Sequence, residues 1–174
     1  SNIPLAVYWT GKSLFNTGEQ AGAARYYLDA AAKYGKDRKA MGVDLILDEW
    51  VGTTRRLGSN EVENAWNEMV EYWKKAMVDN DKVSALRYQR VLIYRPSNSS
   101  TVKNKLLTGL LKTENVEYAS PAVITTMLDE ARLRKRTAFA VYIAEAIVKE
   151  FTETDIALDA RLFLARHLFE ESEK

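Results

Sequence analysis

The chain has 174 residues, 47% of them hydrophobic and 28% charged, which fits one domain or one short repeat array and is too apolar for disorder or a collagen-like chain. Lys plus Arg (25) against Asp plus Glu (24) leaves a net charge of +1, a balance that argues against nucleic acid as partner, because affinity for phosphate comes from clustered positive charge. The absence of cysteine and the single histidine, His167, exclude disulfides, thiolate zinc sites, cysteine nucleophiles and multi-histidine metal cages.

Apolar residues recur at helical spacing nearly throughout, and no segment sustains a period of two. No run of about 18 apolar residues exists, so direct membrane insertion is not expected. The start, Ser1-Asn2-Ile3-Pro4, lacks the features of a secretion signal, and the chain reads as part of a longer protein. A first helix over about 5–17 tolerates Pro4 in its first turn and ends at Gly18, where a left-handed residue costs little. A second, over about 20–34, is rich in alanine, and small side chains admit a close neighbour. The third covers about 38–57, with Met41, Leu45, Asp48 and Val51 on one side. Asn60 and Glu63 read as a capping box for the fourth, over about 61–78, with its aromatic-heavy stripe of Trp66, Met69 and Trp73.

A fifth helix over about 82–94 stops at Pro96, and a sixth over about 101–113 follows the polar cluster 97–100. Residues 114–120 read as the longest loop. Ser120-Pro121 gives an N-cap and first turn to the seventh helix, over about 121–133. The eighth spans about 135–151, and Thr154 or Asp155 starts the ninth, which runs to about residue 170. Nine helices joined by short loops make sequential neighbours antiparallel. The expected fold is therefore all-α, a stack of helical hairpins forming one domain over 1–174. The hairpins are about 5–34, 38–78, 82–113 and 121–151, and a closing helix over about 154–171 caps the core with a polar outer face.

Residues 5–34, LAVYWTGKSLFNTGEQAGAARYYLDAAAKY, resemble one tetratricopeptide repeat. Gly11 stands at the small position of the first helix, Gly18 at the turn, and Ala23, Tyr27 and Ala30 at the small, large and small positions of the second. Trp9 is displaced from the family's usual aromatic position, where Val7 sits, and Gly35 stands near the usual proline. Residues 138–166 resemble the variant common in bacterial envelope proteins, through Phe151, Asp155, Ala157 and Ala160. The resemblance implies an α-solenoid with a right-handed superhelix, a groove for a peptide or partner protein, no cofactor, and a periplasmic or envelope-associated location. Carried onto the best-matched repeat, the family's groove positions are Leu5, Tyr8, Lys12, Phe15 and Asn16. Tyr8, Lys12 and Phe15 fall on one helix face. An aromatic pair around the lysine would anchor an extended peptide, the lysine holding a carboxylate and Asn16 the peptide backbone; the alternative is that Tyr8 and Phe15 pack against the third helix.

Other features take a plainer reading. Trp9, Trp50, Trp66 and Trp73 are expected in the hairpin core, and His167 packs near a helix end. Arg132, Arg134, Lys135 and Arg136 form a solvated turn, and Asn98-Ser99-Ser100 a helix-capping loop rather than a glycan acceptor. Asp44, Asp48 and Glu49 share a helix without ligand spacing from a second one, so no metal site is assigned. No nucleophile or carboxylate partner can be nominated for His167, and the expected protein is not an enzyme. Alternatives are the non-catalytic helical part of an envelope enzyme such as a lytic transglycosylase, whose catalytic Glu-Ser pair Glu171-Ser172 only superficially matches, and a module that self-associates.

Overall fold

A computed structural model of the chain describes residues 3–173, so Ser1, Asn2 and Lys174 lie outside the described residues. Among these the fold is all-α: α1 (Ile3–Asn16), α2 (Gln20–Tyr34), α3 (Met41–Thr54), α4 (Ser59–Val78), α5 (Lys82–Leu92), α6 (Ser100–Leu110), a 3-10 helix (Thr113–Tyr118), α7 (Pro121–Leu133), α8 (Thr137–Glu150) and α9 (Asp155–Ser172). Packing is mostly between neighbours in sequence, closest for α2 on α3, α4 on α5, α1 on α2 and α8 on α9. Gly18 ends the first hairpin turn at φ +90°, the left-handed conformation expected there.

Three local expectations need correcting. Residues expected as a loop after α6 form the 3-10 helix, because Asn115 donates its amide to the carbonyls of Gly109 (2.9 Å) and Leu110 (3.2 Å) and pins the segment to the end of α6. The capping box of α4 lies two residues earlier than Asn60 and Glu63. The Gly58 N–H donates to Glu61 Oε2 at 3.3 Å, while Glu63 pairs with Arg95. Finally, α3 begins at Met41 rather than at residue 38, since the preceding turn aims its carbonyls at a buried arginine instead of extending the helix.

That arginine is Arg87, on α5, and it is fully buried. Its Nε donates to Asp44 Oδ1 (2.9 Å). Its two terminal nitrogens donate to the carbonyls of Gly35, Asp37 (2.9 Å), Arg38 (3.3 Å) and Ala40 (3.1 Å). The guanidinium thus holds one carboxylate and four turn carbonyls. Asp44 in turn accepts from Ser120 Oγ (2.9 Å) and, through Oδ2, from the Ala122 N–H (3.4 Å). Ser120 stands at the N-cap with Pro121 in the first turn, as its sequence predicts, yet its hydroxyl makes no bond to its own helix. Asp44 supplies the negative charge at the α7 N-terminus from another helix. Arg38 adds a second clamp, donating to the Ala119 (2.8 Å) and Val116 (3.2 Å) carbonyls and pairing with Glu150 at 3.2 Å.

Two apolar cores meet at α5. The first draws on α1 to α5, with Tyr27, Ile46, Trp50, Trp66 and Met69 at its centre. The second draws on α5 to α9, with Leu110, Ile124, Met127, Ile143 and Ile147. Tyr88 and Val91 of α5 serve the first, Leu86 the second, and every residue from Ser84 to Leu92 is buried. Trp50 and Trp66 meet edge to face with centroids 4.8 Å apart, as core packing predicts. Trp9 does not join them: it is 62% exposed. Val7 and Gly11 take the inward face of α1, and a residue two positions from Val7 is turned away from it.

Gly11 lies under the ring of Tyr27, where a Cβ would collide with the ring carbons, and the Tyr27 hydroxyl donates to the Tyr8 carbonyl at 3.3 Å. Gly11→Ala is expected to lower stability by about 1–2 kcal/mol, overpacking outweighing the better helix propensity of alanine. Gly52→Ala, with open space around its Cβ, is expected to raise it by about 0.8 kcal/mol. Urea denaturation followed by circular dichroism measures both, and equal shifts of one sign would contradict the Gly11 contact.

The closing helix also departs from expectation. Only Ala157 and Ala160 of α9 are buried, and Leu158, Leu162, Leu168 and Phe169 are each more than half exposed. Its outer face is mixed: an apolar row runs between the exposed charges of Asp159, Arg161, Arg166 and Glu170.

Candidate binding face on helices α1 and α3

Helices α1 and α3 both run antiparallel to α2 and therefore lie parallel to each other, in contact. Two contacts set their register. Lys12 Nζ meets Glu49 Oε2 at 2.6 Å, and the Arg56 guanidinium covers the Phe15 ring 5.5 Å from its centroid. One turn before the first contact, Tyr8 falls level with Leu45, and one turn further Leu5 falls level with Met41. Leu5 (55%), Met41 (52%) and Leu45 (46%) are exposed. Trp9 packs edge-on against Tyr8 at 5.1 Å.

Each sequence-selected residue has a definite environment. Leu5 and Asn16 are exposed, and Tyr8, Lys12 and Phe15 are half-buried. Lys12 also sits 5.5 Å from the Tyr8 ring centroid. Its ammonium is engaged by Glu49, so an incoming carboxylate competes with that side chain. Glu49 and Arg56 were missed because they belong to another helix. The parallel register of two successive first helices was the signal that could have found them.

The Glu49 hydrogen bond raises the Lys12 pKa above its ordinary value, against the opposing effect of burial. Burial, with the nearby Glu49 carboxylate, pushes the Tyr27 hydroxyl up to about 12. Burial and the 2.6 Å bond to Asp29 do the same for Tyr72, also to about 12. Tyr88 is raised further, by burial and then by Asp81. All four groups hold their protons more tightly in the folded chain than in the unfolded one. Their stabilising effect is full below pH 10 and is lost as pH rises from 10 through about 12. An alkaline titration of tyrosinate absorbance is expected to show Tyr27, Tyr72 and Tyr88 ionising late, together with the fall in melting temperature. Ionisation of these three near pH 10 with the fold intact would contradict the burial described.

The three α3 carboxylates each clamp a cation on a flanking helix: Asp44 with Arg87, Asp48 with Arg90 (2.7 Å) and Glu49 with Lys12. Among the described residues no group of three or more side chains is placed to hold a metal ion. His167 stacks on Phe163, centroids 6.5 Å apart. In the basic cluster Arg132 covers Phe163, Arg136 covers Phe139 and Arg134 pairs with Glu130 (3.3 Å). Ser99 accepts from the Val102 N–H at 3.3 Å, and Asn98 donates to the Leu92 carbonyl at 2.7 Å, so the capping loop uses both side chains.

A second concavity, of about 550 Å³, opens between α4, α5 and α6 over Trp73, Ala76, Leu86 and Leu106. Of the lysines at its rim, Lys82 lies 4.3 Å from the Tyr118 ring centroid and Lys112 is 3.9 Å from Glu114. No helix among the described residues is long and apolar enough to cross a membrane. The chain matches no protein-family model, no curated protein and no solved structure.

Proposed function

We propose that this chain is a non-enzymatic protein-interaction scaffold, a tetratricopeptide-like solenoid that holds an extended peptide of a partner protein along α1 and α3. The observation that carries the reading is the exposed row of Leu5, Trp9, Met41 and Leu45 beside the Tyr8–Lys12–Glu49 contact. Exposed apolar groups bordered by charges are the usual composition of a docking surface. Lys12 and Arg56 are the cations beside this row, with Glu49 and Asp48 as its carboxylates, and the peptide that fits carries an apolar or aromatic anchor and an acidic residue that competes with Glu49 for Lys12. Tyr8 and Phe15 are the anchors' contacts, Lys12 takes the acid in exchange with Glu49, and exposed Asn16 serves the peptide backbone. The close approach of Tyr27 to Gly11 supports the repeat reading. The envelope location rests on the resemblance of residues 138–166 alone.

Selection of displayed peptides against the purified chain, followed by anisotropy titration, tests the proposal. Peptides with an apolar anchor and an acidic residue are expected to bind the wild type and to lose at least about tenfold in affinity to Tyr8→Ala or Leu5→Ala. Glu49→Gln is expected to strengthen binding of the acidic peptides by freeing Lys12. Selected peptides that bind all these variants equally would overturn the assignment, as would a selection that yields none.

A further inference from the structure

The exposed apolar residues of α9 follow a pattern. Leu158, Leu162, Ala165 and Phe169 are spaced 4, 3 and 4 apart and all are exposed. This is the a/d seam of a helix that pairs with another helix, rather than the broader stripe that faces a core. With Leu158 and Ala165 at d and Leu162 and Phe169 at a, the flanking e positions are Asp159 and Arg166, and the g positions are Arg161 and Leu168.

Asp159 and Arg166 stand two turns apart on the same edge, about 10 Å along the axis, too far to pair with each other. Neither makes an ion pair or hydrogen bond among the described residues. A parallel pair of α9 helices would set Arg161 of each copy against Arg166 of the other, which repels. An antiparallel pair about a two-fold axis does the opposite. Leu158 meets Phe169 of the second copy, Leu162 meets its Ala165, and Asp159 falls beside its Arg166, each contact occurring twice. Arg161, held by the Thr152 carbonyl at 3.0 Å, then lays its stem over the other copy's Leu168.

We infer that α9 is a homodimerisation helix whose antiparallel self-pairing is chosen by the Asp159–Arg166 complementarity. The surface is independent of the α1–α3 face. One helix pair is a small interface, at the low end of the size of specific ones, so association is tested up to high concentration.

Sedimentation velocity over about 1 to 300 µM, with circular dichroism to confirm the fold of each variant, tests this. The wild type is expected to pass from the 19.8 kDa monomer to twice that mass. Leu162→Glu is expected to remain monomeric throughout. Asp159→Arg is expected to weaken association at least about tenfold through two like-charge contacts, and Asp159→Arg/Arg166→Asp to restore it. A wild type that stays monomeric to the highest concentration would overturn the inference. So would association that survives Leu162→Glu, or a single-charge loss that the swapped pair fails to rescue. These variants leave Tyr8 and Leu5 untouched, so the peptide assay reads separately.

Discussion

Arg87→Ala is expected to destabilise the fold by about 3–5 kcal/mol, the usual consequence of removing one partner from a buried ion pair. Measured against a total stability of about 5–15 kcal/mol, that is a fifth or more. The loss has two sources. Asp44 remains buried at the α7 N-terminus with its main cation gone, and the carbonyls of Gly35 and Arg38 lose their side-chain donor, while those of Asp37 and Ala40 keep only the backbone N–H groups of Ala40 and Val43. Arg87→Lys recovers only part, because an ammonium cannot present five donors in one plane. The double variant Arg87→Ala/Asp44→Ala is expected to cost less than the sum of the single losses, since the second removal takes away an already unpaired charge. Equilibrium urea unfolding gives all four values; additive losses, or a single-variant loss below about 1 kcal/mol, would show that the cluster is not coupled.

Trp66→Ala is the second large effect, about 3–5 kcal/mol. Trp66 is 1% exposed and joins α4 to α3 through its edge-to-face contact with Trp50. Its indole N–H is buried without a hydrogen-bond partner among the described residues. Trp66→Phe keeps an aromatic face and removes that unpaired donor, so it is expected to cost far less, about 1 kcal/mol. Unfolding followed by far-ultraviolet circular dichroism distinguishes these values. A phenylalanine variant as unstable as the alanine variant would mean that the indole N–H does make a bond in solution.

Much of the secondary structure is legible in the chain, for local reasons. Gly18 marks a turn that only a residue tolerant of positive φ makes cheaply, and Ser120-Pro121 marks the start of α7. Periodicity locates the other helices to within a few residues. What is not legible is the polar core. Arg87, Gln89 and Arg90 give α5 the composition of a partly solvated helix, yet the helix is buried on all sides. The partners of Arg87 and Arg90 lie 42 to 52 residues away, that of Gln89 lies 17 away, and Ser120 sits 76 residues from Asp44. No local pattern encodes such pairs. The candidate face shows the same division. Tyr8, Lys12 and Phe15 are readable from one helix, whereas Glu49 and Arg56 enter through the parallel packing of another. In the sequence the charges of Arg161, Arg166 and Glu170 are interleaved with the apolar seam of α9, and spacing alone separates the seam from its flanks.

The most direct test of the functional account is an amide chemical-shift map of the chain titrated with a selected peptide carrying an apolar anchor and an acidic residue. The account predicts shifts confined to residues 5–16 and 41–56, with the largest near Tyr8, Lys12, Leu45 and Glu49. Shifts centred on Trp73, Leu86 and Leu106, or along α9, with α1 and α3 unchanged, would contradict it.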